Sequence, residues 1–474
     1  MRMDRKHAVV LGGSMAGLGA ARALANHFER VTIVERDELP TSTVSRKGVP
    51  QGQHAHGVTP CGFRVLSHYF PGIMDDLVAD GALRGDFTGD FLWYQFDAWK
   101  LRMDSGLELI LARRPCLERK VRERVLALNH VALLQGHDVD EPVFDPGTQR
   151  VTGVRVRNRT TDATTTLDAD LVVDALGRSS PSPKWLSAWG CGEVSETNVV
   201  VDVGYATAEF ERRPGDFFDS FGAIIAATPP HSTRYGAILA TEDNGWIITL
   251  VGCLRDYPPT DIAAWKEFAR SLPTQDIYEL VKDREPRGPL AAFRFPANRR
   301  RHYEKLERFP HGYLVTGDAL CSFNPVYGQG MSVAFSDARA LDLCLEAGDD
   351  DLAKRFFLKA APVVDGAWAV ATGEDLRYPE VEGRRPAGFG IVSRYMEWAH
   401  RVARKDPVVL KQFFQVAGLI EAPSSMLAPA IAWRVLTGGR GIRQASPAHK
   451  VAPGGDGRGH REAPLRAGEA VVRN

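Results

Sequence analysis

Short apolar runs alternate with glycine-rich and amphipathic stretches from the start of the chain. Residues 8–11 form an apolar run suited to a buried strand. Gly12-Gly13-Ser14-Met15-Ala16-Gly17 follows, then an Ala- and Leu-rich stretch over 18–27, then the β-branched run 31–34 closed by Glu35. Strand, glycine turn, helix and strand within about 30 residues make a βαβ unit. That order calls for a parallel strand pair and a right-handed crossover.

The pattern continues with a polar loop over 41–60, rich in Gly, Pro, Gln and His. Periodicity predicts helices over 63–70, 73–78 and 115–128, the last with Leu117, Val121, Val125 and Leu128 on one face. Strands are expected over 91–96, 107–111, 131–134, 151–156, 171–173 and 313–316, and an antiparallel sheet from 199 to 251. Helices are expected over 330–345, 352–372 and 407–419. The run Arg299-Arg300-Arg301 reads as a solvated turn.

Together these imply an α/β fold: a Rossmann-like dinucleotide domain interleaved with a β-sheet substrate domain, plus C-terminal helices. The cofactor domain is expected over 1–85, 111–180 and 300–345, and the substrate domain over 86–110 and 181–299. A helical region would occupy 346–440, and the polar, Gly/Pro/Arg-rich 441–474 would be a disordered tail. There is no internal repeat.

Composition narrows the function classes. The 474 residues are 44% hydrophobic and 25% charged, as in globular proteins, and 59 Lys and Arg balance 59 Asp and Glu. Nucleic acid is a poor partner for such a chain, because its binding rests on phosphate neutralisation. The charged start has no signal-peptide layout, and no uncharged apolar run reaches the roughly 18–20 residues of a spanning helix. The closest, 422–433, is shorter and holds two prolines. Scattered Cys61, Cys116, Cys191, Cys253, Cys321 and Cys344 fit a reducing cytoplasm and give no zinc-site spacing.

The glycine turn carries the first chemistry. Gly12 permits the tight turn out of the strand, a small Ser14 admits the pyrophosphate to the backbone, and Gly17 lets the helix pack closely. Gly13, Met15 and Ala16 complete the loop, and the helix start offers free N–H groups to phosphate. Glu35 stands where it can accept ribose hydroxyls, which disfavours a 2′-phosphate; Arg36 adjoins it. The rival reading is a nucleophile elbow with Ser14 as a hydrolase nucleophile. Against it, Ala16 replaces the elbow's last glycine, and only 13 residues precede Ser14. The turn alone does not separate NAD from FAD.

Further motifs carry a resemblance. Gly317-Asp318-Ala319, then Asn324-Pro325-Val326-Tyr327-Gly328-Gln329-Gly330-Met331, together with the N-terminal fingerprint, resemble the flavin-dependent monooxygenases of para-hydroxybenzoate hydroxylase type. Asp174-Ala175-Leu176-Gly177-Arg178 resembles that family's middle region, with its glycine displaced. Within the family, Arg46-Lys47-Gly48-Val49-Pro50-Gln51, His54-Ala55-His56 and Phe323-Asn324-Pro325-Val326-Tyr327-Gly328 are similar to the epoxidases of actinobacterial polyether biosynthesis, of lasalocid and monensin type.

The resemblance implies FAD as cofactor. It gives Asp318 a ribityl hydroxyl, Arg114 the ribityl–pyrophosphate region (with Arg113 as its alternative), and the Val139 backbone the adenine. It sets Gly328, Gly330 and Met331 against the flavin ring, with the helix from Gly330 aiming its positive end at the flavin's N1/C2 edge. Lys47, Gly48, His54 and His56 become a flavin-pocket loop. His-x-His could also suggest a metal pair, but no third ligand is apparent, so no metal is expected.

The implied activity is epoxidation or hydroxylation of an apolar polyketide or terpenoid intermediate by O2, through a flavin C4a-hydroperoxide. NAD(P)H would supply electrons directly or through a separate flavin reductase. Aromatic candidates for the substrate wall are Phe91, Trp93, Tyr94, Phe96, Tyr205, Phe293, Phe295 and Phe323. A reductase of isoprenoid double bonds and a flavin-dependent halogenase are the alternatives within flavin chemistry. Trp93-Tyr94-Gln95-Phe96 only faintly echoes the halogenase signature.

Overall fold

The computed structural model describes residues 4–42, 45–46 and 48–438. Lys47 and the 441–474 tail lie outside the described residues.

The expected βαβ unit is present. Strand His7–Leu11 leads through the glycine turn into helix Met15–Leu24 and on to strand Arg30–Val34. The two strands pair in parallel within a five-stranded sheet whose order is Tyr313–Val315, Leu171–Asp174, His7–Leu11, Arg30–Val34 and Val131–Leu134. Every pairing in it is parallel. Ala8, Val9, Val10 and Leu11 have no exposed surface, which is why this strand is a continuous apolar run rather than an alternating one. Sequentially distant segments supply the sheet, so the C-terminal ends of its strands gather on one edge, where doubly wound folds bind ligands.

A seven-stranded sheet stands beside it, in the order Cys321–Ser322, Ala291–Arg301, Glu196–Glu211, Gly245–Gly252, Arg234–Thr241, Gly222–Ile225 and Phe91–Tyr94. Its pairings are antiparallel except the last, where Gly222–Ile225 runs parallel to Phe91–Tyr94. The antiparallel run expected over 199–251 is therefore the centre of a larger sheet. A three-stranded sheet (His137–Asp145, Arg150–Asn158, Thr164–Asp168) and another (Gly57–Val58, Leu83–Asp86, Glu108–Leu111) complete the β structure.

One local expectation is corrected. Arg299, Arg300 and Arg301 are the end of a strand, paired with Asn198, Thr197 and Glu196, not a solvated turn. Arg300 and Arg301 are only 3% and 5% exposed. Burial is tolerated because Arg301 donates to Glu196 at 2.9 Å and to the Ala319 carbonyl at 3.1 Å, while Arg300 reaches Glu304 at 3.2 Å. These bonds join the sheet edge to the loop that carries Asp318.

Helix Gly330–Glu346 packs against Met15–Leu24 below the parallel sheet. Helices Leu352–Asp375, Phe389–Val402, Pro407–Ala417 and Pro429–Leu436 follow. Phe413 lies edge-on to Trp93 (5.3 Å), and Phe414 lies edge-on to Phe87 (4.9 Å), so this helical region packs on the Phe91 and Trp93 side of the larger sheet's Phe91–Tyr94 edge. Among the described residues, no helix is long and apolar enough to cross a membrane. The six cysteines are free and buried.

Candidate functional site

One continuous cleft of about 540 Å³ runs from the C-terminal edge of the parallel sheet to the face of the seven-stranded sheet. Its polar end is shaped by the glycine turn. At Gly12 (φ +103°) an added Cβ would stand 2.7 Å from the Ala175 carbonyl oxygen, and one at Gly17 would stand 1.8 Å from the Gly12 carbonyl oxygen. Only glycine lets strand and helix approach so closely. Ser14 ends the turn at the helix start, whose first N–H groups have no side-chain cap and no acidic neighbour in the first turn. Those donors face the cleft uncommitted.

Glu35 is 5% exposed and closes the same end. Its carboxylate accepts the Gly13 N–H at 2.8 Å and the Asp37 N–H at 3.0 Å, and pairs with Arg46 at 3.2 Å. Arg46 also meets Asp37 at 3.0 Å and Glu118 at 3.0 Å. Arg114 donates to Glu118 at 3.2 Å and to the Ser14 hydroxyl at 2.8 Å, which brings its guanidinium to the helix start. Ser14 has Arg114 and Glu118 as its described side-chain partners and no histidine, and Glu118 is itself paired with Arg46 and Arg114, so a serine nucleophile would have no free base to activate it. Arg113 is directed elsewhere, to Glu242 at 3.0 Å and Asp243 at 2.8 Å.

Midway along, Asp318 follows strand Tyr313–Val315. Its side chain opens onto the cleft while protein encloses it. Burial pushes its carboxyl up, against the pull of Arg114 and Arg178. Asp337 supports this loop from the helix behind, accepting the Gly317 N–H and the Thr316 hydroxyl, both at 3.2 Å. Its own carboxyl is pushed up to about 7 by burial. Beyond Asp318 lie Gly328 (φ +66°) and Gly330, where an added Cβ would meet nothing within 4 Å and would project into open space. The helix from Gly330, like that from Met15, starts with no side-chain cap.

The far end is apolar. Phe91, Trp93, Leu109, Leu239, Val251 and Phe293 are among its walls, with Tyr205 and Phe323 nearer the middle. His54 sits between the Tyr205 and Phe293 rings at 6.0 and 5.8 Å, with Nδ1 2.7 Å from the Thr207 hydroxyl and Nε2 without a partner. Burial lowers its pKa to about 4. His56, bonded through Nδ1 to the His54 carbonyl at 2.9 Å, is lowered to about 3 by burial and by Arg114. Both imidazoles are therefore neutral near pH 7. Among the described residues, no group of three or more His, Cys, Asp or Glu is arranged to hold a metal ion.

Most residues singled out in the sequence meet in this one cleft. Gly12, Ser14, Met15, Ala16, Glu35, Arg36, Gly48, His54, His56, Arg114, Val139, Asp318, Phe323, Gly328, Gly330 and Met331 line it, as do Phe91, Trp93, Tyr205 and Phe293. Gly13 and Gly17 lie behind the turn rather than on the surface of the cleft. Three aromatics point elsewhere. Phe96 turns out of the strand with φ +56° and packs on His400 at 5.1 Å. Arg178 covers the Phe295 ring at 5.0 Å. Tyr94 packs on Trp99 at 5.3 Å. Leu176 of the middle motif lines the polar end too, and so do His137, Asp138 and Ser179, which the sequence does not single out, as it does not Leu109, Leu111, Ile224 and Leu239 at the apolar end. Proximity to Val139 and to the Asp-Ala-Leu-Gly-Arg motif was the available signal for the first group. Period-2 alternation marked the second only as strand residues.

The donor set fits a dinucleotide. Two uncapped helix starts and Arg114 suit phosphate and flavin oxygens, Glu35 and Asp318 suit sugar hydroxyls, and Gly328 and Gly330 leave room for a flat ring. A parallel sheet with such a cleft, closed by the apolar face of a second sheet, defines a flavoprotein. The family model for the FAD binding domain matches residues 5–356, and the chain belongs to that family of flavin-dependent oxidoreductases.

The chain is 31% identical over 437 residues to Protein Rv3254 of Mycobacterium tuberculosis (strain ATCC 25618 / H37Rv), covering 88% of this chain and 90% of that protein. Its fold is similar to flavin-dependent brominase Bmp2, with a TM-score of 0.64 and 12% identity over 91% of this chain and 98% of that one. It is also similar to P. aeruginosa PqsL in complex with 2-aminobenzoylacetate, with a TM-score of 0.60 and 16% identity over 78% of this chain and 98% of that one. At these identities the likeness to the solved structures is one of fold.

Proposed function

We propose that the protein is an FAD-dependent monooxygenase that epoxidises or hydroxylates an apolar natural-product intermediate, a polyketide or terpenoid, with NAD(P)H as electron source directly or through a separate flavin reductase. One observation carries the reading: a single cleft joins the Glu35 end to an aromatic and aliphatic chamber, with Asp318, Gly328 and Gly330 between them. The similarity of the 46–56 and 323–328 segments to polyether epoxidases favours an alkene substrate.

When bound and reduced, FAD supplies the electrons that activate O2, one oxygen atom entering the substrate and the other leaving as water. The rest is work for the chain. Glu35 would hold the ribose, with the Val139 backbone beside the adenine. The Met15 helix start and Arg114 would take the pyrophosphate, and Asp318 the ribityl hydroxyls. The uncapped start of the Gly330 helix would stabilise negative charge on the reduced ring. Trp93, Phe91, Phe293 and Leu239 would exclude water and orient the reacting carbon. His54 and His56, neutral near pH 7, place no charge in the apolar chamber.

The brominase likeness raises halogenation as the second reading. A halogenase relays hypohalous acid through an active-site lysine; Lys100, the buried lysine close to Trp93 in sequence, instead has Nζ 2.9 Å from His400 Nδ1 and 4.9 Å from the Phe413 ring centre and is not among the cleft walls, which favours oxygenation. Turnover of the FAD-loaded protein with ¹⁸O2, NAD(P)H and a flavin reductase tests the proposal on polyenes, terpenoids and aromatic polyketides. Mass spectrometry is expected to find one ¹⁸O atom in an epoxide or alcohol. A saturated product formed without O2, or a halogenated one, contradicts it.

A further inference from the structure

Asp375 ends helix Leu352–Asp375 behind the turn that carries Gly328, and it has no exposed surface. Neutral donors surround its carboxylate. Oδ2 accepts from Asn298 Nδ2 at 2.7 Å, and Oδ1 accepts from the Tyr327 hydroxyl at 2.9 Å and from Asn324 Nδ2 at 3.2 Å. Asn324 is held on its other sides too. Its N–H donates to Asn298 Oδ1 at 2.6 Å, and its Oδ1 accepts from the Tyr205 hydroxyl at 2.5 Å and the Val326 N–H at 3.2 Å. One carboxylate thus ties together the strand Ala291–Arg301, Tyr205 of the neighbouring strand, the 324–328 turn and a helix end. Asn324, Val326, Tyr327 and Gly328 of that turn line the cleft.

We propose that Asp375 is the positioning residue of the flavin end of the cleft, fixing through Asn324 and Tyr327 the turn against which the flavin ring rests. The inference rests on the FAD reading and deepens it. A buried carboxylate with no cation is costly, so its neighbours must satisfy every lone pair they can reach. Among the described residues, no Lys or Arg forms an ion pair with Asp375. Asparagine has the same shape but would turn an N–H2 towards Asn298, Asn324 or Tyr327, donor against donor.

Burial pushes the Asp375 carboxyl up to about 7, with Glu374 adding to the shift and the bonds from Asn298, Tyr327 and Asn324 opposing it. The groups facing it are Tyr205, Tyr235 and Cys253 from the sheet, Tyr327 from the turn, and Glu374 and Tyr378 from its own segment. Burial pushes the thiol and the phenols up, so they stay neutral. Glu374 is pushed up by burial and pulled back by Arg377 and Lys100. Protonating Asp375 turns one acceptor into a donor, and the bonds around it must rearrange: the Tyr327 hydroxyl can turn to accept, whereas the Asn298 and Asn324 amide groups that face it can only donate. Because the folded pKa is raised, its stabilising contribution is full below about pH 4 and is lost as pH rises through the folded value.

The test uses the full chain loaded with FAD. Flavin fluorescence quenching gives the affinity, and visible absorbance of the bound flavin is followed between about pH 5.5 and about pH 8.5. The native protein is expected to show a protonation step near neutrality, kept in Glu374→Gln and in Asp337→Asn, whose carboxyl is also pushed up to about 7, and lost in Asp375→Asn. Asp375→Asn should also bind FAD about tenfold more weakly with an unchanged circular dichroism spectrum. Should that variant not fold, Tyr327→Phe removes one bond to the charged carboxylate and is expected to move the step to higher pH, with FAD bound about threefold more weakly. A step that persists in Asp375→Asn, or that Tyr327→Phe leaves in place with native affinity, overturns the proposal. Native protein that takes up no FAD overturns the flavin reading beneath it, a distinct result.

Discussion

At the Glu35 end of the cleft, charged side chains hold one another. Arg46 spans Glu35, Asp37 and Glu118, and Arg114 bridges Glu118 and Ser14. At the Trp93 end, shape comes from packing: Trp93 on Phe413, Phe87 on Phe414, and His54 between Tyr205 and Phe293. The first end depends on exact donors and a backbone turn. The second depends on volume and dryness, which many residue combinations can supply. One end has the fixed donors that a cofactor needs, and the other has the dry volume that suits an apolar molecule.

The comparison breaks most readily at the turn. Gly17→Ala puts a methyl group into the Gly12 carbonyl, and we expect about 3 kcal/mol of lost stability and no measurable FAD retention, read by thermal melting and flavin absorbance. Trp93→Ala strikes the other end. It should cost about 3 kcal/mol in denaturant unfolding and raise the substrate KM, yet leave FAD affinity within about twofold. Asp318→Ala should leave the melting temperature nearly unchanged, because its side chain opens onto the cleft, while FAD binds about 30-fold more weakly by fluorescence titration.

The smallest effect concerns pH. Since the folded His54 and His56 pKa values are depressed to about 4 and about 3, the unfolded chain binds more protons in acid, and stability falls as pH drops below about 6.5. His54→Gln should flatten that slope in urea denaturation at pH 5 against pH 7, by about 2 kcal/mol.

The same contrast governs what the sequence reveals. The glycine turn, Glu35 and the Asp318 loop are legible because each is a local pattern, a strand followed at fixed spacing by the residues its turn requires. The aromatics were legible as a type but not by direction. Phe293 faces the cleft while Phe295, on the same strand, is covered by Arg178. Leu109, Ile224 and Leu239 look like any strand residue until sheet register decides which face meets the cavity. Arg299–Arg301 read as a turn because the carboxylates and carbonyls that make their burial tolerable are distant in sequence. Asp375 reads as an ordinary charge at a helix end, and only the folded chain brings Asn298, Asn324 and Tyr327 to it.

Equilibrium titration of the apoprotein with FAD, followed by a crystal structure of the product, tests the central claim most directly. The account predicts saturable uptake, with the adenosine half at Glu35 and Val139 and the ring beside Gly328 and Gly330. No uptake in either redox state, or flavin bound outside this cleft, would contradict it.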